Sequence, residues 1–237
     1  VKRALIVGAS SGIGRELAIL LVAEGYRVGV TGRREDLLRE LHLQFAERIV
    51  PRAFDATEDN ALQELDLLVR ELGGLDLLVL SAGFGEINPN LDAGVMDRTL
   101  KLNVLAFTRV ATWGMRLFEA QGRGQLVGIT SLAGLRGNKK AQTYNASKAY
   151  QINFLEGLQL RAAKIPHDIW VTDIRPGLVG TDMAKGERVF WVAPPEKAVR
   201  QMYRAIVRKK RVVVVTRRWN LVGWALRFVP GGLLRRL

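Results

Sequence analysis

Seven short aliphatic runs recur along the chain, and the stretches between them carry apolar residues at the spacing of a helix face. That alternation narrows the fold more than any other feature. Parallel neighbours need a long crossover, so a β-branched run followed by a helical stretch is the unit of a parallel sheet. Ala4-Leu5-Ile6-Val7 reads as the first strand, residues 12–24 as a helix, 26–31 as the second strand, 35–46 as a helix and 49–54 as the third strand. A helix opened by the capping residue Thr57, with Asn60 nearby, runs toward Leu72, and Leu75 to Leu80 is the fourth strand. About 45 residues of mainly helical pattern lead to a strand at 125–130, then a long helix at 142–164. A strand at 169–174 ends on Arg175-Pro176-Gly177, where proline stops regular structure, and a helix at 195–208 precedes the last strand at 212–215. The expectation is an α/β fold: a doubly wound parallel sheet of about seven strands with helices on both faces, Rossmann-like. It forms one domain over residues 1–237, with 217–237 as a basic, amphipathic C-terminal tail.

Composition removes several classes of chemistry. Cysteine is absent, which excludes disulfides, thiolate metal sites and cysteine nucleophiles, and suits a reducing compartment. Two histidines, His42 and His167, leave almost no material for a histidine metal site or a Ser/His/Asp triad, so no metal is expected. Val1-Lys2-Arg3 leads straight into the first strand without the order of a signal peptide, and a cytoplasmic location is expected. The net charge of +13 is concentrated: residues 197–237 hold 12 Lys and Arg and no acid.

After the first strand comes Gly8-Ala9-Ser10-Ser11-Gly12-Ile13-Gly14 and then a helix. Glycines let the backbone turn tightly and approach a pyrophosphate, while the helix start offers free N–H groups and a partial positive charge. A glycine-rich turn between strand and helix also serves purely structural ends. The end of the second strand adds Thr31-Gly32-Arg33-Arg34. A free ribose 2′-hydroxyl is usually met there by an acid and a 2′-phosphate by cations, so Arg33, which can make charge-assisted bonds to phosphate, with Arg34 beside it, points to NADP(H).

Tyr144-Asn145-Ala146-Ser147-Lys148 sets a phenol and an ammonium four residues apart on a helix, hence on one face. A phenol of pKa about 10 needs a nearby cation to work near neutral pH, and Lys148 supplies one. Lys148 can also bond the nicotinamide ribose. Ser131, at the end of the fifth strand, can hydrogen-bond a substrate oxygen and stabilise charge developing on it.

The three elements Gly8-x-x-x-Gly12-x-Gly14, Ser131 and Tyr144-x-x-x-Lys148 together resemble the classical subgroup of the short-chain dehydrogenase/reductase family, over residues 3–216. Further matches are Asp55-Ala56 after the third strand, Ala82-Gly83 after the fourth, Asn103 within Lys101-Leu102-Asn103-Val104, and the segment Pro176-Gly177-Leu178-Val179-Gly180-Thr181. The resemblance implies that Asp55 contacts adenine and that Pro176, Gly177, Val179 and Thr181 surround the nicotinamide carboxamide. It implies that Ser10, Ser11 and Ile13 belong to the phosphate turn, and that Asn103 completes a tetrad by holding a water in a proton relay to Lys148. Ser81 departs from the family, which usually has asparagine there; the expected cost is rigidity. Family members are often dimers or tetramers built on the long helices, so a homodimer or homotetramer is expected.

Ligands in such sheets lie beyond the C-terminal strand ends, so residues 84–88, 132–138 and 183–192 are the candidate substrate walls. Phe190 and Trp191 read either as an apolar lid over a hydrophobic carbonyl compound or as loop packing. The tail from Trp219 is too short and interrupted to span a bilayer. It packs on the domain or a partner subunit, or rests on an anionic membrane surface. Nucleic acid is not expected, because no recognisable module is present. The leading reading is an NADPH-dependent reductase of ketones or aldehydes; the rival is a catalytically silent NADP-binding sensor or scaffold.

Overall fold

The computed structural model describes residues 1–181 and 191–228, with side chains to residue 225. Seven strands form one sheet in the order β3-β2-β1-β4-β5-β6-β7, every pair parallel. In chain order these are β1 (Arg3–Val7), β2 (Arg27–Gly32), β3 (Ile49–Ala53), β4 (Leu77–Leu80), β5 (Arg123–Ile129), β6 (Asp168–Pro176) and β7 (Val212–Val215). The helices are α1 (Gly12–Ala23), α2 (Glu35–Gln44), α3 (Ala61–Leu72), α4 (Ala93–Leu100), α5 (Phe107–Gln121), α6 (Gln142–Ala162), α7 (Pro195–Val207) and α8 (Trp219–Phe228). The doubly wound, Rossmann-like architecture anticipated from the alternating pattern is the one observed.

The near-continuous apolar strands follow from burial on both faces. Ala4 and Ile6 of β1 join one apolar layer with Leu17 and Leu21 of α1 and Val199 and Met202 of α7. Leu5 and Val7 point the other way, into a layer with Leu65 and Leu68 of α3 and Met115 and Phe118 of α5. Each fully buried leucine or phenylalanine contributes about 1.5–3 kcal/mol. The sheet therefore holds its C-terminal edge as a rigid platform.

Several boundaries differ from the sequence reading. Helix α3 opens at Ala61, not near Thr57, because the Asp55 carboxylate accepts from both the Thr57 N–H (2.9 Å) and its hydroxyl (2.8 Å), locking that residue in a turn. Strand β4 starts at Leu77, two residues late, behind the Gly73-Gly74 turn with its left-handed backbone. The long helical stretch before β5 is α4 and α5 joined without a break by a π-helical turn, Lys101–Ala106. A short 3-10 turn, Leu132–Leu135, follows β5. Helix α8 gives the first part of the tail regular structure: Trp219 is buried, and Gly223 lies against Leu132. Among the described residues no helix is long and apolar enough to cross a membrane.

Candidate functional site

Strand order reverses between β1 and β4, where successive crossovers leave to opposite sides and a crevice must open at the strands' C-terminal ends. A cleft of about 1040 Å³ lies there. It is lined by Gly8, Ser10, Ser11, Gly12, Ile13, Arg33, Arg34, Asp55, Ala56, Ser81, Ala82, Gly83, Ser131, Tyr144, Lys148, Pro176, Gly177, Val179 and Thr181. Of the catalytic and cofactor-binding residues expected from sequence, Gly14 and Asn103 are the two absent from this lining.

The glycine turn is shaped by close approach. Gly8 has φ +91°, and a Cβ there would fall 2.4 Å from the Ala82 backbone nitrogen. Gly14 lies beneath the turn, where a Cβ would come 2.0 Å from the Gly8 carbonyl oxygen. A side chain at Gly8 would push the turn away from the end of β4, and one at Gly14 would push the start of α1 away from the turn. Gly12, with φ +58°, faces the Thr181 methyl, so the segment after β6 closes over the turn. The outcome is a surface of bare backbone at a helix start, a cradle suited to phosphate oxygens.

At the end of β2 the two arginines divide. Arg34 reaches back over the turn, its Nη2 donating to the hydroxyls of Ser10 (2.9 Å) and Ser11 (2.6 Å). Arg33 is 74% exposed and leans on Asp55 at 3.8 Å, a loose pair of little energetic weight. Arg34 is therefore the better-placed cation for a phosphate at the turn, with two hydroxyls whose protons remain to donate. Ser81 donates its backbone N–H to the Val7 carbonyl (2.9 Å), continuing the sheet into the cleft wall.

Ser131, Tyr144 and Lys148 come together at the ends of β5 and α6. The Ser131 hydroxyl accepts from the Ala133 N–H (3.1 Å) and hydrogen-bonds the Tyr144 phenol. Burial pushes the Tyr144 phenol above its ordinary range, and the Ser131 contact works against that rise. The Lys148 nitrogen lies 5.9 Å from the centre of the tyrosine ring. Its protons go to the Ile129 carbonyl (3.2 Å) and the Gln151 side-chain oxygen (2.9 Å). Burial pushes the lysine down to about 8, with the charge of Asp173 opposing the fall. Asp173 is held by the Thr130 hydroxyl (2.5 Å) and Arg175 (2.6 Å), and burial still raises its carboxyl above the ordinary range.

Asn103 sits in the π-helical turn, fully buried. Its side chain exchanges two bonds with the backbone of Phe84 (2.8 and 2.7 Å) and donates to the Ser147 hydroxyl (3.0 Å). Its main-chain carbonyl accepts from the Gln151 amide at 2.8 Å. The group standing between Asn103 and Lys148 is thus an amide side chain.

On the substrate side, Phe84, Glu86, Ile87, Leu132, Arg136 and Asn138 line the cleft, as do Arg98 and Lys101, which the sequence did not single out. Arg98 lies over the Phe84 ring at 5.3 Å. Trp219 also lines the cleft, packed on Gly177 and edge-on to Trp191 at 6.2 Å, with its indole N–H toward the Trp191 carbonyl (3.4 Å). The anticipated lid residue Phe190 and most of the third candidate wall lie outside the described residues. Within the anticipated wall at 84–88, Gly85 lines the cleft, and a Cβ there would fall 2.7 Å from the Tyr144 ring.

A parallel sheet of this order, opening on a glycine turn at its switch point, defines the Rossmann-like class of α/β proteins. Residues 2–189 match the short chain dehydrogenase family. The chain is 35% identical over 191 residues to an uncharacterized oxidoreductase of Myxococcus xanthus, covering 77% of this chain and 74% of that one. It is 31% identical over 181 residues to a probable NADP-dependent dehydrogenase of Haemophilus influenzae, covering 75% and 71%. Among solved structures, the bulky-bulky ketone specific alcohol dehydrogenase of Comamonas testosteroni is similar with TM-score 0.80 at 26% identity, covering 100% of this chain and 95% of that one. A short-chain dehydrogenase of Streptomyces avermitilis has TM-score 0.83 at 24% identity, with 100% and 93% covered. The chain belongs to the short-chain dehydrogenase family and is an oxidoreductase of that type.

Proposed function

We propose that the protein reduces a ketone or aldehyde with NADPH, and oxidises the alcohol in reverse, with Tyr144 as the proton donor and acceptor. The observation that carries the reading is that Ser131, Tyr144 and Lys148 open on the same cleft as the side-chain-free glycine turn. The residues fit NADP(H): bare backbone at Gly8 and Gly12 for the pyrophosphate, and Arg34, Ser10 and Arg33 for the 2′-phosphate. The description of the Haemophilus influenzae relative as a probable NADP-dependent dehydrogenase supports the same choice. NADPH, when bound, supplies the hydride.

The protein supplies the rest. Tyr144 gives its proton to the carbonyl oxygen, and the Ser131 hydroxyl donates to the same oxygen and stabilises the charge that gathers on it. Lys148 keeps one ammonium proton for the cleft once Ile129 and Gln151 have taken two, and its charge lowers the cost of a phenolate. Asn103 ties the Phe84 loop to α6, so the substrate wall and the proton donor keep a fixed spacing. The whole chain acts as one domain. The face of α5 and α6 that carries Trp113 and Tyr150 around a groove of about 550 Å³ is assigned to a second copy of the chain, testable by sedimentation. Exposed Leu221 and Trp224, behind Arg217 and Arg218, are the elements of a peripheral contact with anionic lipid, testable by vesicle sedimentation. The absence of cysteine suits work in the cytoplasm.

The decisive experiment follows loss of NADPH absorbance with a panel of ketones and aldehydes, alongside direct NADPH binding. The expected result is turnover that falls about 10²–10⁴-fold in Tyr144→Phe with NADPH binding retained. Tight NADPH binding without turnover on any member of a broad panel would instead favour a sensor.

A further inference from the structure

Gln151 is buried on α6, and both ends of its amide are committed. Its Nε2 donates to the Asn103 carbonyl at 2.8 Å, and its Oε1 accepts from the Lys148 ammonium at 2.9 Å. The partners fix the orientation of the amide, because a carbonyl needs the N–H end and an ammonium needs the oxygen. Gln151 and Asn103 are both wholly inaccessible to solvent and Lys148 is 4% exposed. The Asn103 carbonyl is presented by the π-helical turn, whose Val104 carbonyl likewise takes a side-chain donor, the Thr108 hydroxyl at 2.7 Å.

We propose that Gln151 is a positioning residue for proton transfer: it bridges Lys148 to the Asn103 carbonyl, holds the lysine charged, and leaves the lysine's third proton directed at the cleft. The proposal rests on the reading of Tyr144 and Lys148 given above. An ammonium has three donors, of which the Ile129 carbonyl and Gln151 take two. The free direction is toward Gly83, where a Cβ would stand 3.5 Å from the lysine nitrogen and where the cleft begins. An amide neither gains nor loses a proton near neutral pH. The bridge therefore anchors the lysine without passing protons inward toward the π turn, and protons reach Lys148 and Tyr144 from the cleft. Among the described residues the charged and titratable groups around the lysine are few. Tyr144 lies one turn back on α6, Asp173 faces it from β6 with Arg175 as its own partner, and exposed Lys101 of the π turn lines the cleft. From β5 and the 3-10 turn the groups near the lysine are neutral: the Ile129 carbonyl and Ser131.

The test compares wild type with Gln151→Leu, which removes the acceptor, and Gln151→Glu, which strengthens it. The first readout is NMR of protein carrying lysine labelled with carbon-13 at Cε, with the Lys148 signal identified by its loss in Lys148→Met. This needs no cofactor and no substrate. The Lys148 titration is expected to fall by about one pH unit in the leucine variant and to rise in the glutamate variant. The second readout is the pH profile of alcohol oxidation, whose rising limb moves to higher pH by a similar amount in Gln151→Leu, since a lysine that loses its charge earlier supports the phenolate less. If Gln151→Leu does not fold, Gln151→Met, which keeps the length without the acceptor, carries the same expectation. A purely structural role would lower the melting temperature and leave the lysine titration where it was; that result, or movement of both variants in one direction, overturns the proposal. A shifted titration in a protein that turns over no carbonyl would uphold the bridge and refute the reductase reading instead.

Discussion

Removing the charge of Lys148 gives a stability measurement that needs no knowledge of the substrate. Burial lowers this lysine from its ordinary 10.5 to about 8 in the folded protein, while in the unfolded chain it returns to its ordinary value. Between those limits the unfolded chain binds more protons than the folded one, so stability rises with pH across that window. The penalty is fully present below pH 8 and is relieved as the pH approaches 10.5. At about 1.4 kcal/mol per pH unit it amounts to about 3 kcal/mol, and the group is deep enough that solvent screening removes little of it. Lys148→Met abolishes the titration. The variant also leaves the Ile129 carbonyl and the Gln151 oxygen without a donor, a loss of about 1–3 kcal/mol for each, so its absolute stability at pH 7 is not the informative number. Those losses do not depend on pH. Urea unfolding of wild type and Lys148→Met at several pH values from 7 to 10 should show wild type gaining about 2–3 kcal/mol relative to the variant. A difference that stays flat across this range would mean that the folded lysine titrates near its unfolded value, and the burial argument would fail.

Gly85→Ala drives a methyl group into the Tyr144 ring, so kcat for carbonyl reduction is expected to fall about 10²-fold while the melting temperature moves by only a few degrees; unchanged kcat would show that the ring can yield. Arg34→Ala is expected to raise KM for NADPH about 10–100-fold and to leave that for NADH almost unchanged, with a smaller effect for Arg33→Ala, because only Arg34 is anchored on the Ser10 and Ser11 hydroxyls. A larger effect at Arg33 would reverse the assignment. Trp219→Ala empties a buried place against Gly177 and is expected to cost about 3 kcal/mol, seen as a melting point lower by about 10 °C; a shift under 2 °C would place the indole outside the packed structure.

The sheet was legible because its strands are apolar on both faces, so Ala4 to Val7 and Leu77 to Leu80 stand out whatever surrounds them. The glycine turn and the Tyr144 to Lys148 spacing were legible for the same kind of reason, being local patterns that one turn or one helix face realises directly. What escaped depends on contacts made across the sequence. The π-helical turn leaves no mark in the apolar spacing of the long helical stretch that contains it. Helix α6 buries Asn145, Ser147, Lys148 and Gln151, so its inward face is polar and the usual rule for finding a buried face misplaces Gln151 on the surface. The choice between Arg33 and Arg34 turns on the direction in which the chain leaves β2, which adjacent residues of one type cannot reveal. Thr57 looked like a helix cap because the sequence shows Asp55 two residues earlier but not that its carboxylate turns onto the Thr57 N–H and hydroxyl.

The polar interior around α6 explains why the lysine is the group most open to influence from the cleft. Lys148 of α6 and Asp173 and Arg175 of β6 are all nearly inaccessible to solvent, where α6 packs beside the paired strands β5 and β6. Desolvation acts on the lysine and the aspartate in opposite directions on the pH scale and to the same end, favouring the neutral form of each. Asp173 is compensated at once, by Arg175 at 2.6 Å and by the Thr130 hydroxyl. Among the described residues Lys148 has no carboxylate in contact: its partners are two neutral oxygens, and Asp173 reaches it only through space. Its charge is the least compensated of the three, and it faces the cleft. A hydroxyl entering there accepts the ammonium's third proton and favours the charged form of the lysine, which under the proposed function is the form that lowers the cost of ionising Tyr144. On that reading, binding in the cleft and ionisation of the phenol are coupled through the charge of Lys148.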